Sequence, residues 1–385
     1  MRAALIRAFG EPTEVLELAD VPEPSGPAAG EVLVGVEYAP ISMNDLYVIQ
    51  GAFPVRPSLP SVVGNEGVGR VLAVGSGVEH LKVGDRVLIP LYAFISWRER
   101  LVVPATGLFS LPEAEPQQLA MLGINPPTAS LLLDEASDLK PGDWIVQNAA
   151  NSGVGRSLIA IAKARGMKTI NLVRRPELIP ELQAVGGDLV VVDEDGALDK
   201  IRAAVGNGRV PLAIDGVAGK SSAMIAGALS EHGIFVVYAY MGGGPVAINP
   251  FDLIVKRIVV KGFFLNHPDI EPKIHAALRE TVPLVASGAI QVPIAATYPL
   301  SSLREAVLKG ASRPSRNDLS GCRTRDPRTD HRGIGDRRCW RLVWHAVRRR
   351  AAWLTSRIRR LRPTVLARTL MHRTPSIPHR HARWL

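Results

Sequence analysis

One short stretch, residues 144–155, constrains the fold more than any other part of the chain. An apolar strand, Trp144 to Val146, runs into a turn of small residues, and a helix is predicted to begin at Gly153. Small residues let the backbone of such a turn approach a phosphate, and the N–H groups at the helix N-terminus attract its charge. A strand, a turn and a helix in this order predict a dinucleotide-binding βαβ unit.

The next predicted strand, 168–173, ends in two arginines, Arg174 and Arg175. A site for NAD carries a carboxylate at this point for the ribose 2′-hydroxyl, whereas two guanidinium groups suit a 2′-phosphate. The pattern therefore indicates NADPH as the cofactor. The alternative is a glycine-rich turn in another βαβ unit, with arginines that only face solvent.

Periodicity divides the chain into two regions. Up to about residue 115, short alternating strands such as Glu31 to Tyr38 and Gly67 to Val74 predict a twisted β-barrel. Beyond it, strands and helices alternate, which predicts a doubly wound parallel sheet and an α/β fold. The predicted elements of this second region are 144–149, 153–165, 168–173, 177–185, 188–193, 197–205, 211–214, 221–230, 233–238, 258–264 and 270–287, followed by 292–299 and 301–309.

The net charge of +10 is a poor guide to partners, because it comes from the C-terminal end. Residues 311–385, the arginine-rich tail, contain 20 Arg, 4 Asp and neither Lys nor Glu, so the first 310 residues carry a balance of −6. Both cysteines also lie in the tail. The first 310 residues therefore have no thiolate for a zinc site or a disulfide.

Three interpretations of the arginine-rich tail remain open. It binds nucleic acid or an anionic membrane, it is a disordered extension, or it is an out-of-frame translation product. The absence of Lys and Glu beside abundant Arg, Pro, Trp and His is typical of shifted reading of a GC-rich gene and favours the third. We therefore expect a disordered tail that contacts nucleic acid only non-specifically, if at all.

No apolar run reaches the length of a transmembrane helix, and the first residues lack the apolar stretch of a signal peptide. We therefore expect a cytoplasmic protein without membrane contact.

The barrel region carries the sequence Gly64-Asn65-Glu66-Gly67-Val68-Gly69, followed by Gly75 and Val78. This pattern resembles the signature of the medium-chain dehydrogenase/reductases. Asn65 stands where the zinc-dependent members of that family place a histidine ligand, and the first 310 residues contain no cysteine. The resemblance therefore points to the zinc-free branch, with no bound metal.

Within that branch the chain resembles the trans-2-enoyl-thioester reductases of the mitochondrial type and their bacterial relatives, over about residues 1–310. The resemblance is carried by the stretches 49–51, 64–67, 122–126, 145–155, 217–222 and 261–265. It implies a GroES-like catalytic domain over 1–118, to which 266–310 return, and a Rossmann NADP-binding domain over 119–265. It also implies a homodimer paired through the nucleotide domains.

The same resemblance implies a set of site residues. Asn125 and Thr128 lie beside the nicotinamide, and Arg174 and Arg175 bind the 2′-phosphate. The pyrophosphate is held by Asn151, Ser152, Gly153 and Val154, while the nicotinamide ribose and the substrate are bordered by Tyr238, Ala239, Tyr240, Met241, Phe263, Phe264 and Leu265. From the residues alone, Asn125 is equally a helix cap, Phe263 and Phe264 are core residues, and Tyr238 or Tyr240 packs within a strand.

One catalytic position departs from the family. Relatives active on enoyl thioesters carry a tyrosine two residues after the Gln-Gly of this loop, and Phe53 stands there. A tyrosine hydroxyl protonates or hydrogen-bonds the enolate that enoyl reduction forms, and loss of such a group costs roughly 10²–10⁴-fold in rate. Tyr47, Tyr92 and Tyr240 are candidate replacements. Trp97 either shapes the acyl pocket or is a buried structural tryptophan.

Three functions are compatible with these observations. The first is an NADPH-dependent reductase of activated C=C bonds, above all of 2-enoyl thioesters, by hydride transfer to the β-carbon. The second is an NADPH quinone oxidoreductase on the same scaffold, which Phe53 favours because quinone oxygens take protons from solvent. The third is a catalytically impaired, frameshifted product whose basic tail binds nucleic acid.

Overall fold

The computed structural model describes residues 1–311 and 341–345. The strands are β1 (Arg2–Ile6), β2 (Leu16–Asp20), β3 (Glu31–Ile41), β4 (Ser61–Val62), β5 (Val68–Val74), β6 (Arg86–Leu88), β7 (Arg100–Pro104), β8 (Trp144–Gln147), β9 (Lys168–Val173), β10 (Leu189–Val192), β11 (Leu212–Asp215), β12 (Ile234–Val237), β13 (Val259–Gly262), β14 (Ile294–Pro299) and β15 (Arg341–His345). The α-helices are α1 (Pro12–Val15), α2 (Met43–Ile49), α3 (Pro116–Leu119), α4 (Asn125–Leu133), α5 (Gly153–Ala164), α6 (Ile179–Ala184), α7 (Ala197–Val205), α8 (Lys220–Ala228), α9 (Pro250–Val255), α10 (Glu271–Ala286) and α11 (Leu303–Ala311).

The predicted doubly wound sheet is confirmed. Its six strands lie in the order β10-β9-β8-β11-β12-β13, and every neighbouring pair is parallel. Strands β8, β9 and β11 are buried along most of their length, which explains their continuous apolar runs. The strand order reverses between β8 and β11, and ligands of such sheets bind beside the carboxyl ends at this point.

The β-rich region precedes this sheet, as predicted. Strand β3 pairs antiparallel with β5 on one side and with β7 on the other, and β5 pairs in turn with β6. Alternate residues of β3, Val32, Val34 and Val36, are buried, so one face of this strand forms the barrel core. A separate antiparallel sheet has the order β2-β1-β4.

Strand β15 comes from the arginine-rich tail. It lies between β14 and β3, antiparallel to β14 and parallel to β3, with Arg341 opposite both Pro299 and Tyr38. The expectation of disorder is therefore wrong for residues 341–345, because their backbone completes a sheet. Residues 312–340 and 346–385 lie outside the described part of the chain, so tail disorder and nucleic-acid contact stay predictions there.

Helix α10 packs against α4. Arg165, at the end of α5, joins these helices: its guanidinium lies 2.7 Å from Glu280 of α10 and 2.7 Å from Asp134 after α4. After the parallel sheet, β14 joins the barrel sheet through β15, which pairs with β3. The domain boundaries at 118, 265 and 310 stay predictions.

Two local features differ from the sequence prediction. The sequence prediction does not include helix α9, because six residues are too few to show a helical period. Strand β12 ends at Val237, so the interpretation that Tyr238 and Tyr240 alternate within one strand is wrong. Within the described residues, no helix combines the length and apolarity that crossing a membrane requires.

Candidate active site

The phosphate turn, residues 148–152, connects β8 to α5. Ser152 is the N-cap of α5, and its Oγ accepts a hydrogen bond from the Gly155 N–H over 3.1 Å. A Cβ at Gly155 would lie 2.5 Å from the Ala150 carbonyl oxygen, so a side chain cannot be accommodated there. The turn therefore folds tightly onto the first turn of the helix.

Two further contacts fix this turn. The Arg156 Nε donates to the Asn151 carbonyl oxygen over 3.4 Å, and the same guanidinium pairs with Glu181. The first N–H groups of a helix have no partner inside it, so those of Gly153 and Val154 are suited to bind phosphate oxygens.

A buried polar network lies at the ends of β8 and β11. The Asn148 Nδ2 donates to Asp215 over 2.7 Å and to Ser221 over 3.0 Å, while its Oδ1 accepts from the Gly216 N–H. Asp215 is fully buried and also accepts from the Ser222 hydroxyl over 2.5 Å. Sequence analysis missed this network, because its partners lie 67 and 73 positions apart.

Arg174 and Arg175 follow β9, the strand beside β8. Arg174 is exposed, Arg175 is half-buried, and neither forms an ion pair with any residue that the structure describes. Burial raises the pKa of Asp193, the carboxyl group after β10, although a hydrogen bond from Ser221 and the charge of Arg174 oppose this shift. Both guanidinium groups are thus left for an anionic ligand.

These features fit a dinucleotide with a 2′-phosphate. The phosphate turn leaves no space for a side chain at Gly155, and the N-terminus of α5 offers N–H groups. Two positive charges, Arg174 and Arg175, stand at the end of the neighbouring strand. The predicted pyrophosphate and 2′-phosphate residues therefore share the carboxyl edge of one sheet.

Asn125 and Thr128 lie on the first turn of α4. Ile124 is the N-cap of this helix, so the alternative that Asn125 caps it is wrong. The Asn125 amide is half-buried and makes no hydrogen bond to the described residues, while Thr128 is buried. The Ile124 N–H donates to Glu66 over 3.0 Å, which ties the start of α4 to the barrel.

A cavity of about 580 Å³ opens at the carboxyl ends of β12 and β13. Five of the predicted residues line it: Tyr238, Ala239, Tyr240, Phe263 and Phe264. Met241 and Leu265 are outside its lining, and Leu265 is buried in the core. Phe263 is both a core residue and a cavity residue, since it packs in the same core as Leu265 and also lines the cavity.

Phe53 forms an aromatic cluster with Tyr92 of the β-rich region and Phe264, which follows β13. Its ring stacks on Tyr92, with centroids 6.2 Å apart and planes inclined by 15°. It also contacts the ring of Phe264, which lines the cavity, with centroids 6.0 Å apart and planes inclined by 59°. The position of the missing family hydroxyl therefore lies beside the cavity, within a mostly apolar environment.

Trp97 does not line this cavity. Its side chain is fully buried in the barrel core, and its Nε1 donates to the Pro40 carbonyl oxygen over 3.1 Å. This burial favours the alternative of a structural tryptophan, and a role of Trp97 in the acyl pocket stays a prediction. Sequence cannot distinguish these roles, because both require a large aromatic side chain at this position.

Three buried polar residues lie behind the aromatic cluster. Asp45 accepts from the Asn65 N–H over 2.9 Å, and burial raises its pKa to about 6. Burial and the charge of Asp45 raise the pKa of Glu66. Both polar side-chain atoms of Asn65 are buried and have no well-formed hydrogen bond to the described residues. Among the described residues, no three His, Cys, Asp or Glu side chains are grouped to hold a metal ion.

Comparison with known proteins agrees with this geometry. Residues 28–113 match the alcohol dehydrogenase GroES-like domain, and residues 153–286 match the zinc-binding dehydrogenase family. The mitochondrial enoyl-[acyl-carrier-protein] reductase of Rattus norvegicus is 36% identical over 319 residues, covering 80% of this chain and 84% of the relative. The enzyme of that name from Caenorhabditis elegans is 40% identical over 268 residues, with coverages of 68% and 77%.

Solved structures show the same similarity. The complex of Etr1p with NADP and crotonyl-CoA superposes with a TM-score of 0.69 at 27% identity, over 75% of this chain and 89% of that one. The Escherichia coli quinone oxidoreductase complexed with NADPH superposes with a TM-score of 0.68 at 27% identity, over 80% of this chain and 95% of that one. The chain belongs to the medium-chain dehydrogenase/reductase family, with the mitochondrial enoyl-[acyl-carrier-protein] reductases among its relatives.

Proposed function

We propose that this protein is an NADPH-dependent reductase of activated C=C bonds that acts on 2-enoyl thioesters. The observation that carries the proposal is the intact phosphate turn, closed by Ser152 and Gly155, beside Arg174 and Arg175. Relatives of this chain are named enoyl-[acyl-carrier-protein] reductases, and one solved neighbour holds NADP and crotonyl-CoA. When bound, NADPH would supply the hydride for reduction at the β-carbon of the substrate.

The residues of the chain contribute binding and exclusion of water. The N-terminus of α5 and the two arginines bind the phosphates. Asn125, whose amide makes no hydrogen bond to the described residues, and Thr128 would border the nicotinamide. Phe53 and Phe264 wall the reacting centre with apolar surface, which strengthens any hydrogen bond made to the substrate there.

Quinone reduction is the second candidate, because Phe53 has no hydroxyl and quinone oxygens take protons from water. A structural neighbour, the Escherichia coli enzyme, is a quinone oxidoreductase. The two functions share the cofactor site and differ only in the acceptor.

Steady-state assays of the purified chain separate these candidates. kcat/KM is measured for crotonyl-CoA, a longer 2-enoyl-CoA and 1,4-benzoquinone, each with NADPH and with NADH. We expect the enoyl thioesters to be reduced with NADPH, and Gly155→Val to abolish this by filling the phosphate turn. Reduction of benzoquinone alone would favour the second candidate, and no NADPH oxidation with any acceptor would contradict both.

We further propose a homodimer formed through β13 and α9. Val259 and Val260 of the edge strand β13 are 49% and 47% exposed, and Phe251 and Ile254 of α9 are 71% and 72% exposed. An edge strand with unpaired backbone groups beside such apolar surface is suited to pair with a second copy. Val260→Asp should convert a dimer to a monomer in light scattering, whereas a monomeric unmodified protein would contradict the proposal.

The acyl carrier protein in the names of the relatives supports a place in fatty acid metabolism. A cytoplasmic location stays a prediction.

A further inference from the structure

A second aromatic ring, which carries a hydroxyl group, packs against Phe53, the position where the family hydroxyl is missing. Phe53 and Tyr92 are stacked nearly parallel, at 6.2 Å and 15°, so the Tyr92 hydroxyl belongs to the ring adjacent to residue 53. Phe53 in turn touches Phe264, which lines the cavity at the ends of β12 and β13. Tyr92 itself is outside the lining of this cavity, and its ring is connected to the cavity wall through Phe53.

Tyr92 contacts two hydrophobic clusters. Its ring packs against the aromatic cluster around Phe53 and also against the large core that contains α4 and α5. It is half-buried, and its hydroxyl makes no hydrogen bond to the residues that the structure describes. Of the other candidates, Tyr240 is 69% exposed and therefore poorly placed to act in a dry site.

The backbone holds Tyr92 in an unusual conformation. Its φ is 53° and that of Phe94 is 54°, and both lie in the left-handed region that non-glycine residues seldom adopt. The loop is held there because the Tyr92 N–H donates to the Asn65 carbonyl over 3.2 Å and the Ile95 N–H donates to Gly64 over 3.1 Å. Strain of this kind concentrates at functional sites, where surrounding contacts maintain it.

The surroundings keep this hydroxyl protonated. Burial, followed by the nearby carboxyl groups of Glu66 and Asp45, raises the pKa of Tyr92 above its ordinary value. The buried Asn65 amide, which has no well-formed hydrogen bond to the described residues, adds a further polar group to the same region. A neutral phenol in such an environment is a hydrogen-bond donor rather than a base.

We propose that the Tyr92 hydroxyl replaces the family tyrosine by donating a hydrogen bond to the thioester carbonyl oxygen of the substrate. The inference rests on the proposed function. Negative charge grows on this oxygen as the β-carbon accepts hydride, and a donor in an apolar site stabilises that charge strongly. Phe53 then serves as the ring on which Tyr92 is positioned.

The first test is spectroscopic and needs no turnover. 2,4-Hexadienoyl-CoA is bound in the presence of NADP⁺, and its absorption maximum is recorded for the unmodified protein, Tyr92→Phe, Tyr298→Phe and the double variant Phe53→Tyr/Tyr92→Phe. A hydrogen bond to the carbonyl oxygen shifts the absorption to longer wavelength. We expect the shift in the unmodified protein and in Tyr298→Phe, its loss in Tyr92→Phe, and its return in the double variant.

The second test is kinetic. Tyr92→Phe should lower kcat for crotonyl-CoA by about 10²-fold, the usual effect of removing one such donor, with NADPH affinity unchanged. Unaltered NADPH affinity shows that the variant folds. The inference would be overturned if Tyr92→Phe kept both the absorption shift and the kcat of the unmodified protein. It would also be overturned if Tyr47→Phe, rather than Tyr92→Phe, lost the absorption shift and the rate. Failure of the unmodified protein to reduce crotonyl-CoA would refute the proposed function itself.

Discussion

The Asn148 amide donates to the Asp215 carboxylate over 2.7 Å and thereby joins the ends of β8 and β11, the strands between which the sheet order reverses. Asp215 also accepts from the backbone N–H groups of Val217 and Ala218, over 2.8 and 2.9 Å. Its carboxylate therefore fixes both loops that border the cofactor site.

Asp215→Ala should destabilise the protein, because it leaves several buried donors without an acceptor. We expect the free energy of unfolding to fall by about 3 kcal/mol in urea denaturation. Asp199→Ala, at an exposed position of α7, is the matched control and should change stability little. Equal stabilities of the two variants would show that the network is not needed for the fold.

The double variant Arg174→Ala/Arg175→Ala should lose affinity for NADPH and retain affinity for NADH. Two charge-assisted contacts to a phosphate account for about a 10²-fold loss in Kd, measured by fluorescence titration. Arg202→Ala removes a positive charge from the exposed face of α7 and serves as the control. An equal loss for both nucleotides would remove the assignment of a 2′-phosphate site.

A chain that ends at Ala311 should be less stable than one that ends at Arg348. The shorter chain lacks β15 and leaves β14 and β3 without the strand between them. Loss of these backbone hydrogen bonds should lower Tm by about 5–10 °C in calorimetry. Both chains lack the same terminal residues 349–385, so identical Tm values would mean that β15 contributes nothing to the barrel.

Stability should depend on the ionisation of Asp45. Burial raises the pKa of this group to about 6 from an ordinary 3.8, so between these values the folded protein holds a proton that the unfolded chain releases. Folding is therefore favoured at low pH, and this contribution is lost as pH rises through about 6.

Asp45→Asn lacks this titration. From pH 4 to pH 7, the stability of the unmodified protein should fall relative to Asp45→Asn by about 2–3 kcal/mol, measured by urea denaturation at each pH. The exposed variant Asp199→Asn should show no such divergence. Parallel stability curves for Asp45→Asn and the unmodified protein would disprove the raised pKa.

The local parts of the fold could be predicted from sequence. Strand 168–173 and helix 197–205 agree with β9 and α7 to the residue, because hydrophobic period and flanking turns are properties of adjacent residues. Strand β15 could not be predicted, since its partners β14 and β3 are distant in sequence and its arginine-rich surroundings carry no strand signal.

The same distinction applies to the candidate site. The phosphate turn and the two arginines form a contiguous motif, so their shared sheet edge follows from the βαβ unit. Side-chain direction does not follow from such a motif: Trp97 turns into the barrel core, and Tyr92 turns onto Phe53. Both outcomes depend on the loop conformation between β6 and β7, which spacing alone does not reveal.

Isothermal calorimetry of the unmodified protein with NADPH and with NADH tests the central claim most directly. The phosphate turn and the pair of guanidinium groups predict that NADPH binds at least about tenfold more tightly, a difference of about 1.4 kcal/mol. No binding of NADPH, or tighter binding of NADH, would contradict the assigned cofactor and the reductase function built on it.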